Sequence, residues 1–285
     1  MKYEFFRTKY KKELLIDCFV RKVKANNQEA QHPFVVTFFE IIFVMEGEGT
    51  FILDDETLPY KKGSVLLLPP FKWRQWKLRD DLEVVNLMFE EEFISRFFND
   101  SLYLYRFNYF YNTNTASSLQ LDVSDLEEFK KKLHEIQNEI KSLQPDSSHL
   151  LRALLYYVLI RLNREYQKQT GWETSFYLEN KVLRFRKLLE SNIHQIHRVA
   201  EYAELLKISP SHLNKQIKIH FGKNASEFIK DRLILEIKKQ LLFTDASIAE
   251  IAFSLGFSEP SNFNRFFVKR TNKSPKQFRL QNDKS

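Results

Sequence analysis

The stretch IAEIAFSLGFSEPSNFNRFF, Ile248 to Phe267, decides the fold of the second half of this chain, because its opening has already been written once. VAEYAELLKIS, Val199 to Ser209, carries the same pattern of Ala, Glu, Ala and Ser. Ala200, Glu201, Ala203 and Ser209 precede Ala249, Glu250, Ala252 and Ser258 by 49 residues. After a one-residue insertion, Leu213, Gly222, Lys223 and Phe228 precede Phe263, Asn272, Lys273 and Phe278 by 50. Agreement over that length marks a duplicated structural unit.

Each copy reads as two short helices broken by a turn. Ile248, Ile251 and Ala252 share a helical face, and Ala249 and Ala252 are small enough to let another helix approach. Gly256 ends that helix, Ser258 is placed to cap the next, and Pro260 suits its first turn. From Pro260 onward Phe263, Phe266 and Phe267 are expected inside, leaving Ser261, Asn262, Asn264, Arg265 and Lys269 outward. The first copy offers Ser211, His212, Asn214, Lys215 and Lys218 after Ser209-Pro210. Guanidinium, ammonium and amide groups on an exposed second helix suit base edges and phosphates in a major groove. Any soluble amphipathic helix also shows a polar face, so duplication is the discriminating feature: two readers on one support can enter successive grooves about 34 Å apart. Between them, Phe228, Ile229, Leu233, Ile234, Ile237, Leu241 and Leu242 recur at helical spacing from Ser226 to Phe243, which predicts one long linking helix.

The stretch from about Phe176 to Phe278, with SIAEIAFSLGFSEPSNFNRFFVKRTNKSPKQFR at its centre, resembles the C-terminal DNA-binding domain of the AraC/XylS family of bacterial transcription regulators. The closing pattern Ser274, Pro275, Phe278 and Arg279 belongs to that resemblance. Lys207 stands where the second copy has Gly256, which predicts a different backbone in the first turn. Asn272 replaces a customary glycine and is the next best residue for a left-handed position. Ile237 stands where the family commonly has alanine, so the packing there should differ locally.

Charge agrees with this division. The chain has 44 Lys and Arg against 37 Asp and Glu. Residues 176–285 hold 20 basic and 11 acidic groups, a net +9, and the remainder is at −2. A basic module attached to a nearly neutral one is the footprint of polyanion binding. A length of 285 residues suggests more than one domain, with boundaries expected at 1–120, 121–170 and 171–285. The single cysteine, Cys18, excludes an internal disulfide. No apolar run approaches a membrane span, and the opening MKYEFFRTKYKKELL lacks a signal peptide's apolar stretch, so a cytoplasmic protein is expected.

From Pro33 to about Phe89 the period changes to that of strands, in FVVTFFEIIFVM, GTFIL, SVLLLPP and LEVVNLMF, punctuated by GEG, DDE and KKG. The order FEIIFVMEGEGTFILDDETLPYKKGSVLLLPPFKW is similar to the cupin-like sensor domain of many AraC-family members. The fold class expected is therefore α+β and multidomain: a cupin-like β-barrel with following helices, then an all-α domain of two helix-turn-helix units. A metal cupin needs two or three histidines and a carboxylate. Only His32 lies near the barrel, and Phe71-Lys72-Trp73-Arg74 stands where ligands would be required. No metal, cofactor or enzymatic activity is expected. Glu40, Phe43, Phe51, Trp73, Arg74 and Trp76 are candidates for an effector pocket, with core filling as the alternative reading of the aromatics.

In SDLEEFKKKLHEIQNEIKSL, Leu126, Phe129, Leu133, Ile136 and Ile140 form a narrow helical seam that needs a partner helix. The helix from about His149 to Lys168 can supply it within the chain; the family resemblance points instead to dimerisation. Gln169, Thr170 and Gly171 mark a linker, running to about Thr174. The resemblance implies double-stranded DNA as partner, with RNA polymerase as a second candidate, an unidentified small-molecule effector and a homodimer. The competing reading is a metal-free carbohydrate or small-molecule binding protein whose basic end contacts nucleic acid non-specifically.

Overall fold

The computed structural model describes residues 2–7, 9, 13–54, 56–98, 104, 107–110, 118–171 and 180–283. It divides into two compact units, Lys2–Thr174 and Ser175–Ser285.

In the first unit the alternating apolar runs pair into two sheets. Among the described residues the strands are β1 (Lys2–Tyr3), β2 (Ile16–Val23), β3 (Phe34–Val36), β4 (Phe39–Glu46), β5 (Gly49–Leu53), β6 (Glu56–Tyr60), β7 (Ser64–Leu68), β8 (Trp73–Leu78), β9 (Leu82–Phe89) and β10 (Ser118–Gln120). One sheet has the order β1-β3-β8-β5-β6 and the other β10-β7-β4-β9-β2. They share one core, to which Ile42, Val44, Leu66, Leu68 and Val84 come from the second sheet and Phe51, Leu53, Leu58 and Trp76 from the first. β2 pairs with β9 along all eight of its residues, from Ile16 opposite Phe89 to Val23 opposite Leu82. β4 is buried on both faces up to Met45. Alternation alone explains one face; the other is covered by helices.

Those helices are α1 (Glu91–Phe98), α2 (Val123–Lys141) and α3 (Ser147–Thr170). Asp122 caps α2 by accepting from the Asp125 N–H. Leu126, Phe129, Leu133, Ile136 and Ile140 are all buried within this one chain. Phe129 lies 5.4 Å from Phe43 on β4, and α2 packs against both α3 and β2. This corrects the dimerisation reading of the seam: its partners are the second sheet and α3, and a side chain such as Leu133, 1% exposed, has no surface left for another subunit. It also joins 121–170 to the barrel as one unit. The linker starts later than expected. Gln169 and Thr170 are still helical, Gln169 is hydrogen-bonded to the Gln120 backbone, and Gly171 closes α3 at φ 67°; residues 172–174 of the expected linker lie outside the described residues.

The second unit is helical: α4 (Asn180–Asn192), α5 (Val199–Leu205), α6 (Pro210–Phe221), α7 (Ala225–Phe243), α8 (Ile248–Ser254), α9 (Pro260–Thr271) and α10 (Pro275–Asp283). α7 buries Phe228, Ile229, Leu233, Ile234, Ile237 and Leu241 of the predicted stripe and leaves Leu242 half-buried. Phe221 of the first copy packs on Phe228 at 4.7 Å. From the other side, Arg279 donates to the Leu241 carbonyl at 3.2 Å near the end of α7, and Phe278 packs edge-on against Phe267. That gives the closing pattern its physical role: its arginine satisfies a helix C-terminus and its aromatic seals the second copy.

The two turns are alike, which overturns the expectation drawn from Lys207. Lys207 has φ 55° and Gly256 φ 73°, both left-handed. In one turn Lys207 N–H donates to Glu204 O and Ile208 N–H to Ala203 O; in the other Gly256 donates to Phe253 O and Phe257 to Ala252 O. Tertiary packing imposes the backbone, and lysine adopts it against its own preference. Asn272 at φ 56° and Gly222 at φ 71° end the two second helices in the same way. The starts of those helices differ. Ser209 caps α6 by accepting from the His212 N–H, whereas the inserted residue, Glu259, takes the cap position of α9 without a side-chain cap bond. Ser258 is therefore one residue too early to cap, and instead accepts from Asn262 at 3.4 Å.

A Cβ at Gly256 would lie 2.9 Å from the His194 carbonyl oxygen, at a backbone conformation L-residues avoid. Gly256→Ala is expected to destabilise the unit by about 1–2 kcal/mol, and Lys207→Gly, which removes a strained Cβ, to raise stability by up to about 1 kcal/mol. Denaturant midpoints check both; an unchanged midpoint for Gly256→Ala overturns this account of the turn.

Candidate nucleic-acid interface and barrel interior

α6 and α9 are delivered by these turns, each with proline in its first turn. On α6, Ser211, Lys215 and Lys218 are exposed, while His212 and Asn214 are half-buried. Asn214 is already engaged, since its Oδ1 accepts from the Ala225 N–H at 3.0 Å, at the start of α7. This fastens the reading helix to the linking helix, a role its polarity alone did not reveal. On α9, Pro260 and Asn262 are half-buried, and Ser261, Asn264, Arg265 and Lys269 are exposed. Asn262 Oδ1 accepts from Arg265 Nη2 at 3.0 Å, which orients the guanidinium before any ligand arrives. Phe266 is only partly covered, unlike Phe263 and Phe267.

Sequence reasoning passed over Glu259, exposed at the start of α9, with Ser261 Oγ donating to its Oε2 at 3.0 Å. The one-residue insertion was the available signal. It also passed over the acidic first turns of α7. Asp231 accepts from Lys223 at 2.7 Å and from Arg270, and Glu227 accepts from Lys230 at 2.9 Å and from Arg270. Lys230 first, and Arg270 second, hold the Glu227 carboxyl down at about 2. It is charged wherever the protein is folded at neutral pH.

In the first unit, five of the six pocket candidates belong to the two-sheet interior or its edge, and Phe43 does not. Phe43 is on the opposite face of β4, toward α2. Phe51 and Trp76 are 4.7 Å apart and Trp76 is 5.1 Å from Tyr60, so these rings fill the core. Trp73 is half-buried, its backbone N–H held by Asp54 at 2.8 Å. Glu40 and Arg74 are a buried pair: Arg74 Nη1 donates to Glu40 Oε2 at 2.5 Å and Nη2 to the Pro69 carbonyl at 2.7 Å. Asn86, missed in the sequence because it reads as an interruption of β9, donates to Glu40 Oε1. Burial pushes the Arg74 guanidinium down and Glu40 draws it back; an arginine so paired keeps its charge. Arg74 Nε, Asn86 Oδ1 and the Tyr60 hydroxyl are buried without a hydrogen-bond partner among the described residues.

Comparison with known proteins joins the two sites. The family description "AraC-like ligand binding domain" matches residues 25–159, and "Helix-turn-helix domain" matches 202–281. The chain belongs to the AraC family of transcription regulators. The HTH-type transcriptional activator RhaS of Pectobacterium carotovorum is 22% identical over 246 residues, 86% of each chain. An uncharacterised HTH-type regulator of Staphylococcus aureus is 24% identical over 83% of this chain, which spans only 31% of that longer protein. Among solved structures, ToxT of Vibrio cholerae shares the fold with a TM-score of 0.53 at 14% identity, covering 94% of this chain and 98% of its own. A second ToxT structure, described as bound to unsaturated fatty acid, gives a TM-score of 0.51 at 15% identity, covering 93% of this chain and 95% of its own. As an AraC-family regulator, this chain reads DNA through its helix-turn-helix domain.

Lys215→Ala and Arg265→Ala are each expected to weaken binding to the cognate site by about 1–3 kcal/mol, the range for one good base or charged contact. Asn214→Ala should instead lower the melting temperature, because its oxygen accepts from the Ala225 N–H in the first turn of α7. Titration of labelled DNA together with thermal melts separates the two effects, and parental affinity for both cation variants would sink the assignment.

Proposed function

We propose that this regulator recognises one asymmetric DNA site through α6 and α9 and that a small, neutral, hydrogen-bonding effector in the first unit modulates that recognition. The observation that carries the reading is the pair of turns with matching hydrogen bonds, each presenting an exposed basic helix. The exposed side chains differ, Ser211, Lys215 and Lys218 on one helix against Ser261, Asn264, Arg265 and Lys269 on the other, so the two half-sites differ. Membership of a regulator family supports a non-catalytic protein working where DNA is, in the cytoplasm. No helix of the described residues is long and apolar enough to cross a membrane. RNA polymerase is the partner through which such a protein acts on transcription.

The chemistry of the interior supports this effector class. Arg74 is neutralised by Glu40, so a carboxylate ligand gains little there, whereas the spare donor of Arg74 and the spare acceptor of Asn86, both bonded to Glu40, suit hydroxyl groups. A polyol or sugar fits that chemistry. A homodimer also belongs to the reading, formed through a surface other than the buried α2 seam. Among the described residues of α1, α2 and α3, Val123 and Leu150, 76% and 49% exposed, are large apolar groups left uncovered.

Selection of bound genomic fragments by the purified protein tests the main claim. The expected result is one enriched sequence whose affinity falls steeply with salt, as counterion release requires. Equal binding to all fragments favours the competing small-molecule-binding reading. Thermal melts with neutral sugars and with fatty-acid anions test the effector class, since a ligand at a hundred times its dissociation constant stabilises by about 2.7 kcal/mol. Stabilisation by the anions alone overturns a neutral effector. Sedimentation is expected to show a dimer that Leu150→Glu weakens; a parental monomer removes the dimer from the reading.

A further inference from the structure

The acidic start of α7 does more than decorate a helix surface. Asp231 accepts from Lys223, just beyond the end of α6, and from Arg270, in the last turn of α9. Glu227, one helical turn earlier, accepts from Arg270 as well. The C-terminal ends of both reading helices are therefore tied to Asp231 of the helix that joins them, and that of α9 to Glu227 as well. The Lys223 side chain is 8% exposed and that of Arg270 24%, so these are not free surface charges. An isolated exposed ion pair contributes little. A shared network in which one carboxylate serves two cations fixes geometry, because moving either helix separates Asp231 or Glu227, 31% and 39% exposed, from a cation more buried than itself.

We propose that Asp231 and Glu227 are positioning residues that set the distance and rotation between the two reading helices, and with them the half-site spacing the regulator accepts. The chemistry fits the requirement. One base pair is about 3.4 Å of rise and a tenth of a turn, so a reader allowed to shift by a few ångströms accepts a neighbouring spacing. Apolar packing along α7 holds the units together but is non-directional. The charged clamp adds the directional constraint. It acts at the ends of the helices away from their prolines, and so leaves Lys215 and Arg265 free for DNA.

The test uses the full chain and its selected site, rebuilt with the half-sites at the selected spacing and one or two base pairs closer and farther, plus one half-site alone. The parent is expected to bind the selected spacing at least about tenfold better than its neighbours, the cost of roughly one mismatched contact. Asp231→Asn and Glu227→Gln should each narrow that ratio at least threefold while changing half-site affinity less than twofold, and Asp231→Glu should restore it. Melts confirm that each variant is folded; if Asp231→Asn is not, Glu227→Gln carries the test. An unchanged ratio in a folded variant overturns the proposal, as does a parent indifferent to spacing. Uniform weakening of Arg270→Gln at every spacing, with a salt slope shallower by about one charge, makes Arg270 a phosphate contact and also overturns it. Failure of sequence-specific binding altogether is a different result, absence of any enriched site, and counts against the DNA reading itself.

Discussion

Burial of one apolar stripe, on α7, underlies the whole DNA-reading unit. Neither copy of the repeat is long enough to enclose a core of its own. α7 lends both of them its side chains: Phe228 packs with Phe221 of the first copy, and the α7 end is closed by Arg279 and α10. Phe228, Ile229, Leu233, Ile237 and Leu241 are each buried, at about 1.5–3 kcal/mol apiece relative to exposure. No single cap or ion pair in the unit approaches their sum. Because the same helix is the core of both copies, neither can move far without disturbing the other. That is a mechanical requirement for reading two sites at once.

The first unit meets a comparable constraint by a different route. β4 sits in the middle of its sheet between β7 and β9, and must bury both faces. One face completes the two-sheet core through Ile42 and Val44; the other carries Phe39, Ile41 and Phe43 and requires a roof. α2 supplies that roof with Phe129 against Phe43, and its remaining seam closes on α3 and β2. A narrow apolar seam announces that a helix has a partner without naming it. Here the unmet need of β4 decides that the partner lies in the same chain.

The parts legible in the sequence were those with a period. The repeat, the α7 stripe, the strands from Phe34 to Phe89 and the seam of α2 all follow from spacing. The parts that were not legible depend on what lies across the core. β2 was missed although IDCFVRKV has strand composition, because it precedes the punctuated run and its identity comes from pairing with β9. Phe43 was grouped with Trp76 because both are aromatic, yet a β-strand sends alternate residues to opposite faces and only Glu40, Ile42 and Val44 share the inner one. Lys207 was read through its own preference, and the turn it occupies is fixed by hydrogen bonds to Glu204 and Ala203 that do not involve its side chain. Asn214 and Asp231 look like solvated polar residues until α6 is set against α7.

The one-residue insertion explains why duplication did not give two equivalent readers. In the first copy Ser209 sits immediately before Pro210 and caps α6, so the helix begins with a neutral hydroxyl satisfying its amides. In the second, Glu259 separates Ser258 from Pro260, the serine loses its helix, and an exposed carboxylate stands at the start of α9. Helix N-termini favour anions, phosphate among them. Glu259 thus puts a negative charge beside the start of α9, where α6 has a neutral hydroxyl. The two copies thus differ in backbone electrostatics as well as in their outward side chains, although their turns and C-terminal caps are matched. A duplicated unit with such a difference is not symmetric under exchange of its two copies, and that asymmetry is the physical basis for the asymmetric site proposed above.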